Sequence, residues 1–179
     1  VLNMLLRKSQ SCLRALTREK ITRTDEVMLQ KFTVLPTDLD ENIHMNNARY
    51  LEYFEAGRFE FGLRSGFYKT ALKHKVYAPV ANQSVSYLRA LKSFEKITQE
   101  TRILGWNQDS VFFQHVISKK EKIAAKAIVR CVILGSDGKV SPDDFFKLMD
   151  VEIVEHKLPA ICEKICQLDR EFRAKDLGS

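Results

Sequence analysis

The apolar positions of this chain follow two different rhythms. Between Asn47 and Leu63, Ala48, Tyr50, Leu51, Tyr53, Phe54, Ala56, Phe59 and Phe61 recur at helical spacing, yet they occupy more than one face. A helix apolar over most of its circumference is wrapped by other structure, and Gly66 offers it a stop. Elsewhere the rhythm is that of strands. Residues 26–36 are rich in Val, Leu and Phe and close at Pro36. Residues 76–87 are interrupted by Pro79, which suits an edge or a bulge. Residues 95–106 carry Ile97, Thr101 and Ile103 at roughly alternate positions, 111–117 are short and aromatic, and 123–134 form a long run with Ala, Val and Ile. Asn107 to Asp109 and Lys119 to Lys122 read as hairpin turns, and Gly135 to Gly138 ends the last strand. Strand, long helix, then antiparallel meander predicts an α+β domain in which one antiparallel sheet wraps a central helix. Beyond it, Pro159 opens a helix with Ile161, Ile165, Leu168 and Phe172 on one face, expected to serve packing or oligomerisation.

The densest polar chemistry stands directly before the central helix, in Asp38-Leu-Asp40-Glu-Asn42-Ile-His44-Met-Asn46-Asn47-Ala-Arg-Tyr50. Asp40, Asn42 and His44 alternate. In extended backbone such residues project to one side, so a carboxylate, an amide and an imidazole are expected to converge. A carboxylate or imidazole can take a proton from water, and an amide can orient it. Asn46 is a suitable N-cap. The free N–H groups of the first turn, near Asn46 and Asn47, would polarise a carbonyl and hold an oxyanion. Together these parts suit acyl transfer to water. The same residues also suit a plain loop and helix cap, since Asp and Asn form both.

The segment resembles the motif of the hotdog-fold thioesterases. It is most similar to the plant-type acyl-ACP (acyl carrier protein) thioesterases and to the thioesterase-like branch of the 4-hydroxybenzoyl-CoA thioesterase family. In the plant type, Asp, any, Asn, any, His is followed by any-Asn-Asn and then a Tyr. Asp40, Asn42, His44, Asn46, Asn47 and Tyr50 fill those places. The resemblance implies a hotdog fold and hydrolysis of an acyl-CoA or acyl-ACP thioester. Asp40 would be general base or nucleophile. His44 would orient or share the proton, and Asn42 would position water or the acyl carbonyl. It also implies paired chains with the site at their interface, hence a homodimer or a higher even oligomer. No cofactor is expected, because coenzyme A or acyl carrier protein enters as part of the substrate. Arg89 and Lys92, near strand ends, are candidate contacts for coenzyme A phosphates. The plant enzymes carry a further catalytic residue in a later segment, for which this sequence offers no placed match. The alternative is a non-catalytic hotdog protein that binds an acyl ligand or a protein partner.

Charge refines the picture. Residues 1–24 hold Arg7, Lys8, Arg14, Arg18, Lys20 and Arg23 against Glu19, almost all of the formal +6. The remainder is close to neutral, so a nucleic-acid surface on the domain is not expected. Leu2, Leu5, Leu6, Leu13 and Leu16 stand near helical spacing in this basic arm. Three readings are open: a helix packed on the domain, a helix that meets a membrane surface or acyl carrier protein, or an organellar transit peptide. Because its charge is separable, removal of residues 1–24 is expected to leave folding intact. The division is an arm over 1–24, a hotdog domain over 25–157 and a C-terminal helix over 158–179. No apolar run reaches the roughly 18 residues that span a bilayer. Cys12, Cys131, Cys162 and Cys166 form no CxxC pair and none lies near the motif. Cys162 and Cys166 are i, i+4 but lack a companion ligand pair, so no metal is expected. Reduced thiols suit an intracellular protein, with the cytoplasm the expected compartment and the mitochondrion the alternative. No Gly-rich phosphate loop, nucleophile elbow or HExxH appears.

Overall fold

In the computed structural model, which describes residues 2–154 and 157–176, both rhythms take the expected form. Val1, residues 155–156 and residues 177–179, which belong to the three predicted segments, lie outside the described residues. The elements are α1 (Leu2–Thr17), β1 (Met28–Thr33), a 3-10 turn (Pro36–Asp38), α2 (Asn47–Arg64), α3 (Phe67–His74), β2 (Val80–Tyr87) and β3 (Lys96–Trp106). They continue with β4 (Val111–Lys119), β5 (Lys122–Cys131), β6 (Ile133–Gly135), β7 (Gly138–Val140), α4 (Pro142–Lys147) and α5 (Ala160–Asp176). Five antiparallel strands run in the order β1-β3-β4-β5-β2, and β6 with β7 makes a separate small hairpin. The β4–β5 turn holds Lys120 and Glu121 at positive φ, 46° and 65°, the backbone that joins tightly twisted strands.

The sheet curls around α2. Tyr53, Phe54 and Ala56 of the helix pack with Phe32, Ile97, Ile117 and Ala125 of the strands in one buried cluster. In β3 the inward phase of the alternation is Ile97, Gln99, Thr101 and Ile103. Two of those four are polar, and α2 meets them with glycine. A Cβ on Gly57 would stand 2.2 Å from Gln99 Nε2 and 2.4 Å from Thr101 Oγ1. Glycine inside a helix is disfavoured by about 0.5–1 kcal/mol against alanine, and here it admits the close approach that the wrapped geometry requires. α2 ends at Arg64, just before Gly66, as the sequence suggested. Gly66 turns at φ 77° and starts α3.

The arm departs from expectation in a specific way. α1 packs on α2, but through its polar face. Asn3, Arg7 and Ser11 are buried, whereas Leu5, Leu6, Leu13 and Leu16 are exposed. Arg7 reaches the fully buried Asp38 carboxylate at 2.6 Å, and Arg14 Nε reaches the fully buried Glu60 at 2.6 Å. Asn3 also donates to Asp38 Oδ1 at 3.0 Å, and Ser11 to the Ala56 carbonyl at 3.3 Å. The guanidinium of Arg7 lies 4.0 Å from the Tyr53 ring centre, and Tyr53 donates to Asp38 Oδ2 at 2.8 Å. The arm's charge is therefore not separable: two of its arginines neutralise carboxylates inside the domain.

The C-terminal helix is rotated from the expected seam. α5 seats Cys162, Ile165 and Cys166 toward the outer face of the sheet, beside Phe112, and leaves Ile161, Leu168 and Phe172 exposed. Asp169 of this helix pairs with Arg130 of β5. Burial, with Cys166 and Glu163 beside it, pushes the Cys162 thiol up to about 11.

Candidate active site

The residues Asp40 to His44 do not form the extended run that would bring three side chains to one side. They form a turn. Leu39 and Met45 bridge across its base, the Asp40 N–H donates to the His44 carbonyl at 2.9 Å, and the Ile43 N–H donates to the Asp40 carbonyl at 3.0 Å. Asp40 closes the turn with its own carboxylate. Oδ1 accepts the backbone N–H of Asn42 at 2.9 Å and of His44 at 3.4 Å, the local bond that Asp forms readily in turns. No hydrogen bond from the described residues engages Oδ2. Ile43 sits at the tip at φ 58° and 68 % exposed. A β-branched residue in that region is strained by about 1–3 kcal/mol, and such strain gathers at functional sites.

The turn is fixed on both flanks. The Met45 N–H donates to the Leu91 carbonyl at 2.7 Å, and the Asn46 N–H to the Asp38 carbonyl at 2.9 Å. Asn46 caps α2 as expected, its side chain accepting from the Ala48 N–H at 2.8 Å. The positive end of the helix thus follows directly on the Asp40–His44 turn. Asn42 and Asn47 are exposed, while Asp40, His44 and Asn46 are half-buried. The Asn47 carbonyl accepts from Tyr87 Oη at 3.2 Å, and Tyr87 packs edge-on against Tyr50. Burial, with Tyr87 and Glu95 near, pushes the Tyr50 hydroxyl up to about 12, so it is neutral at ordinary pH.

Leu91, which anchors Met45, brings the loop after β2 against the motif. Arg89 and Lys92 lie on that loop and are exposed. Arg89 Nη1 donates to the Ile123 carbonyl, and the Lys92 N–H donates to Glu95 Oε2 at 3.0 Å. Among the described residues no group of three or more His, Cys, Asp or Glu could hold a metal ion, and no helix is long and apolar enough to cross a membrane.

A second polar system, unforeseen from the sequence, runs beneath α2 across the inner face of the sheet. Gln30 donates to Glu60 at 2.6 Å, and Gln99 donates to the Tyr53 carbonyl at 2.8 Å. Thr101 Oγ1 lies 3.0 Å from His115 Nδ1, and His115 Nε2 lies 3.2 Å from Arg58 Nη1. Gln30 faces Gln99 across β1 and β3, and Thr101 faces His115 across β3 and β4, so strand register assembles the row. Guanidinium only donates. Nε2 of His115 is therefore the acceptor, and the ring proton sits on Nδ1, donated to Thr101. Complete burial, helped by Arg58, drives the His115 pKa well below its ordinary value. The unfolded chain then binds a proton that the folded one refuses below about pH 6.5. Stability contributed by neutral His115 is complete above that pH and lost as the pH falls, by up to about 1.4 kcal/mol per unit. We expect melting temperature to fall from pH 7.5 to pH 5, and His115→Gln to flatten that slope. An unchanged slope in the variant would move the acid sensitivity to other groups.

Comparison with known proteins bears on this geometry. A family model described as the thioesterase-like superfamily matches residues 34–174. Protein THEM6 of Danio rerio is 34% identical over 106 residues, covering 58% of this chain and 52% of that protein. The chain spans about half the length of the curated relatives it matches. Among solved structures, the YbaW probable thioesterase of Escherichia coli superposes with a TM-score of 0.63 at 22% identity, over 68% of this chain and 98% of that one. The 4-hydroxybenzoyl CoA thioesterase of Pseudomonas sp. strain CBS-3 does so with a TM-score of 0.61 at 17% identity, over 68% of this chain and 98% of that one. The sheet-wrapped helix is thus the hotdog fold.

Proposed function

Because the chain belongs to the thioesterase-like superfamily, we propose that it hydrolyses an acyl thioester of coenzyme A or acyl carrier protein to the free acid and thiol. The observation that carries this reading is the Asp40 carboxylate. It stands on a strained turn at the N-terminus of α2, with Oδ1 held by backbone N–H groups and Oδ2 engaged by no hydrogen bond from the described residues. As general base, Oδ2 takes a proton from water while the water oxygen adds to the thioester carbonyl. The Asn47 N–H at the start of α2 would receive the oxyanion, since the N–H groups of Asn46, Ala48 and Arg49 are already engaged. Collapse breaks the C–S bond, and the departing thiolate takes the proton back from Asp40. His44 orients or shares that proton, and Asn42, at the exposed side of the turn, positions water or carbonyl. Arg89 and Lys92, on the loop tied to the motif through Leu91, would meet the phosphates of the carrier.

Two chains would complete the site. β2 is an edge strand of eight residues whose outer side has no strand beside it among the described residues, and Val80 and Tyr87 on it are exposed. An unguarded edge of this kind favours pairing with a second copy. The exposed Ile161, Leu168 and Phe172 of α5 offer a further apolar seam. A panel of acyl-CoA and acyl-ACP substrates, read by free-thiol release alongside sedimentation, tests both points. Turnover by a dimer or higher even oligomer is expected. A folded protein with no turnover on any thioester would favour the non-catalytic binding reading, and full activity in a monomer would remove the shared site.

A further inference from the structure

A cavity of about 520 Å³ lies beside the C-terminal half of α2, within the size range of small-molecule sites. Its wall is largely apolar, formed by side chains such as Leu51, Phe59, Phe61, Ile103, Phe113 and Ile133. Arg58 also lines it. Among the described residues this guanidinium donates to His115 Nε2, a neutral acceptor. Glu55, one turn earlier on α2, is engaged by Lys8 at 2.6 Å and is 44 % exposed. No carboxylate of the described residues lies within ion-pair distance of Arg58. Tyr68 and Cys131, the other groups close enough to act on it, are both pushed up by burial and stay uncharged. Arg58 itself is desolvated enough for its pKa to be lowered.

A desolvated cation without a counter-anion is costly, and proteins pair such charges. The carboxylates that line the cavity, Glu52 and Glu55, are held by Arg7, Arg49 and Lys8, and the cavity leaves room for a further anion. A guanidinium offers five donors in a planar fork suited to a carboxylate, and one of them is used. Lys8 and Arg23 also line the cavity, but Lys8 is paired with Glu55 and Arg23 with Asp25 and Glu152, which leaves Arg58 as its cation without a carboxylate partner among the described residues. One such cation amid largely apolar walls suits one negative charge on an apolar body better than a phosphate ester.

We propose that this cavity binds an amphiphilic carboxylate, its anionic group seated on Arg58 and its apolar body against the aromatic wall. Two sources share that chemistry: a free fatty or aryl acid, and the far carboxyl of a dicarboxylic acyl group still joined to its thiol. The second source rests on the hydrolytic reading given above; the binding itself does not.

The test is equilibrium calorimetry of the full chain with dodecanoate and with dodecanol, in wild type, Arg58→Met and Arg58→Lys. Dodecanoate should bind wild type at least about tenfold more tightly than dodecanol, the scale of a charge-assisted hydrogen bond. Arg58→Met should lose that advantage while dodecanol is held as before, and Arg58→Lys should keep part of it. Equal binding of the two probes by wild type overturns the proposal without recourse to a variant. So does undiminished dodecanoate binding in folded Arg58→Met. Turnover of decanedioyl-CoA against decanoyl-CoA then separates the sources. A preference for the dicarboxylic substrate that vanishes in Arg58→Met identifies the acyl terminus, and equal turnover identifies a free acid. Absence of turnover on both would count against hydrolysis alone, because the calorimetric result stands apart from it.

Discussion

Asparagine in place of Asp40 is expected to lower thioester turnover by about 10² to 10⁴, the loss that follows removal of a positioned general base. The substitution isolates the chemistry well. Oδ1 closes the turn by accepting the N–H groups of Asn42 and His44, and an asparagine oxygen accepts them equally. What disappears is Oδ2 as a proton acceptor or nucleophile. Fold and substrate affinity should therefore survive, and the loss should fall on kcat. His44→Ala should cost less if His44 only orients, since its backbone rather than its ring holds the base of the turn. Single-turnover rates with thermal melts of both variants make the comparison. A wild-type rate in a folded Asp40→Asn protein would remove Asp40 from the mechanism.

Arg7→Ala is expected to destabilise the fold by about 3–5 kcal/mol, the cost of leaving one partner of a buried ion pair alone. Asp38 has no exposed surface and receives Arg7, Asn3, Tyr53 and the Leu35 N–H together. Burial opposes its charge, yet the Arg7 bond, followed by those from Leu35 and Tyr53, holds its pKa below the usual carboxylate range. A lowered folded pKa gives stability that is present above the unfolded value of about 3.9 and lost as pH falls through the folded one. The penalty of Arg7→Ala should thus be full at neutral pH and shrink in acid. Removing residues 1–24 also takes Arg14 from the buried Glu60, which keeps only Gln30 and the more distant Arg64. Against a total stability of about 5–15 kcal/mol, that chain should not fold. Urea titration of Arg7→Ala decides the matter. A change below about 1 kcal/mol would mean that Asp38 is satisfied without the arm.

How much was legible follows from which physical signal each element leaves. α2 was readable because Tyr50, Tyr53, Phe54 and Phe61 leave it no wet side, and the meander because Ile97, Thr101 and Ile103 keep one phase. The motif was readable as a place but not as a shape. Alternation puts Asp40, Asn42 and His44 together only in extended backbone, whereas Asp followed two residues later by a free N–H equally invites a turn, and the turn won. In α1 the spacing of leucines reports that a helix has two faces, not which one goes inward. The decision belongs to Asp38 and Glu60, whose burial nothing local announces. Gln99 and His115 did leave a trace, as polar residues in the inward phase of strands, but it went unread because isolated polar residues in a strand look the same when they face solvent. Arg58 left none, being one charged residue among several on its helix.

The strand order carries a consequence for how the chain must assemble. β3, β4 and β5 are joined by short turns and pair in sequence, whereas Met28 of β1 waits for Thr101 and Val80 of β2 waits for Cys131. Neither edge has a template until the three-stranded meander exists. Loop closure favours the local pairings first, so the meander, with Lys120 and Glu121 tightening its last turn, is the natural nucleus and the two edges are late additions. During synthesis the N-terminal third, including the Asp40 turn and all of α2, emerges with its aromatic surface uncovered and remains so until residues beyond 100 are made. The Asp40 turn and α2 are therefore translated before the strands that cover them, and the interval between is when this chain most needs protection from others like it.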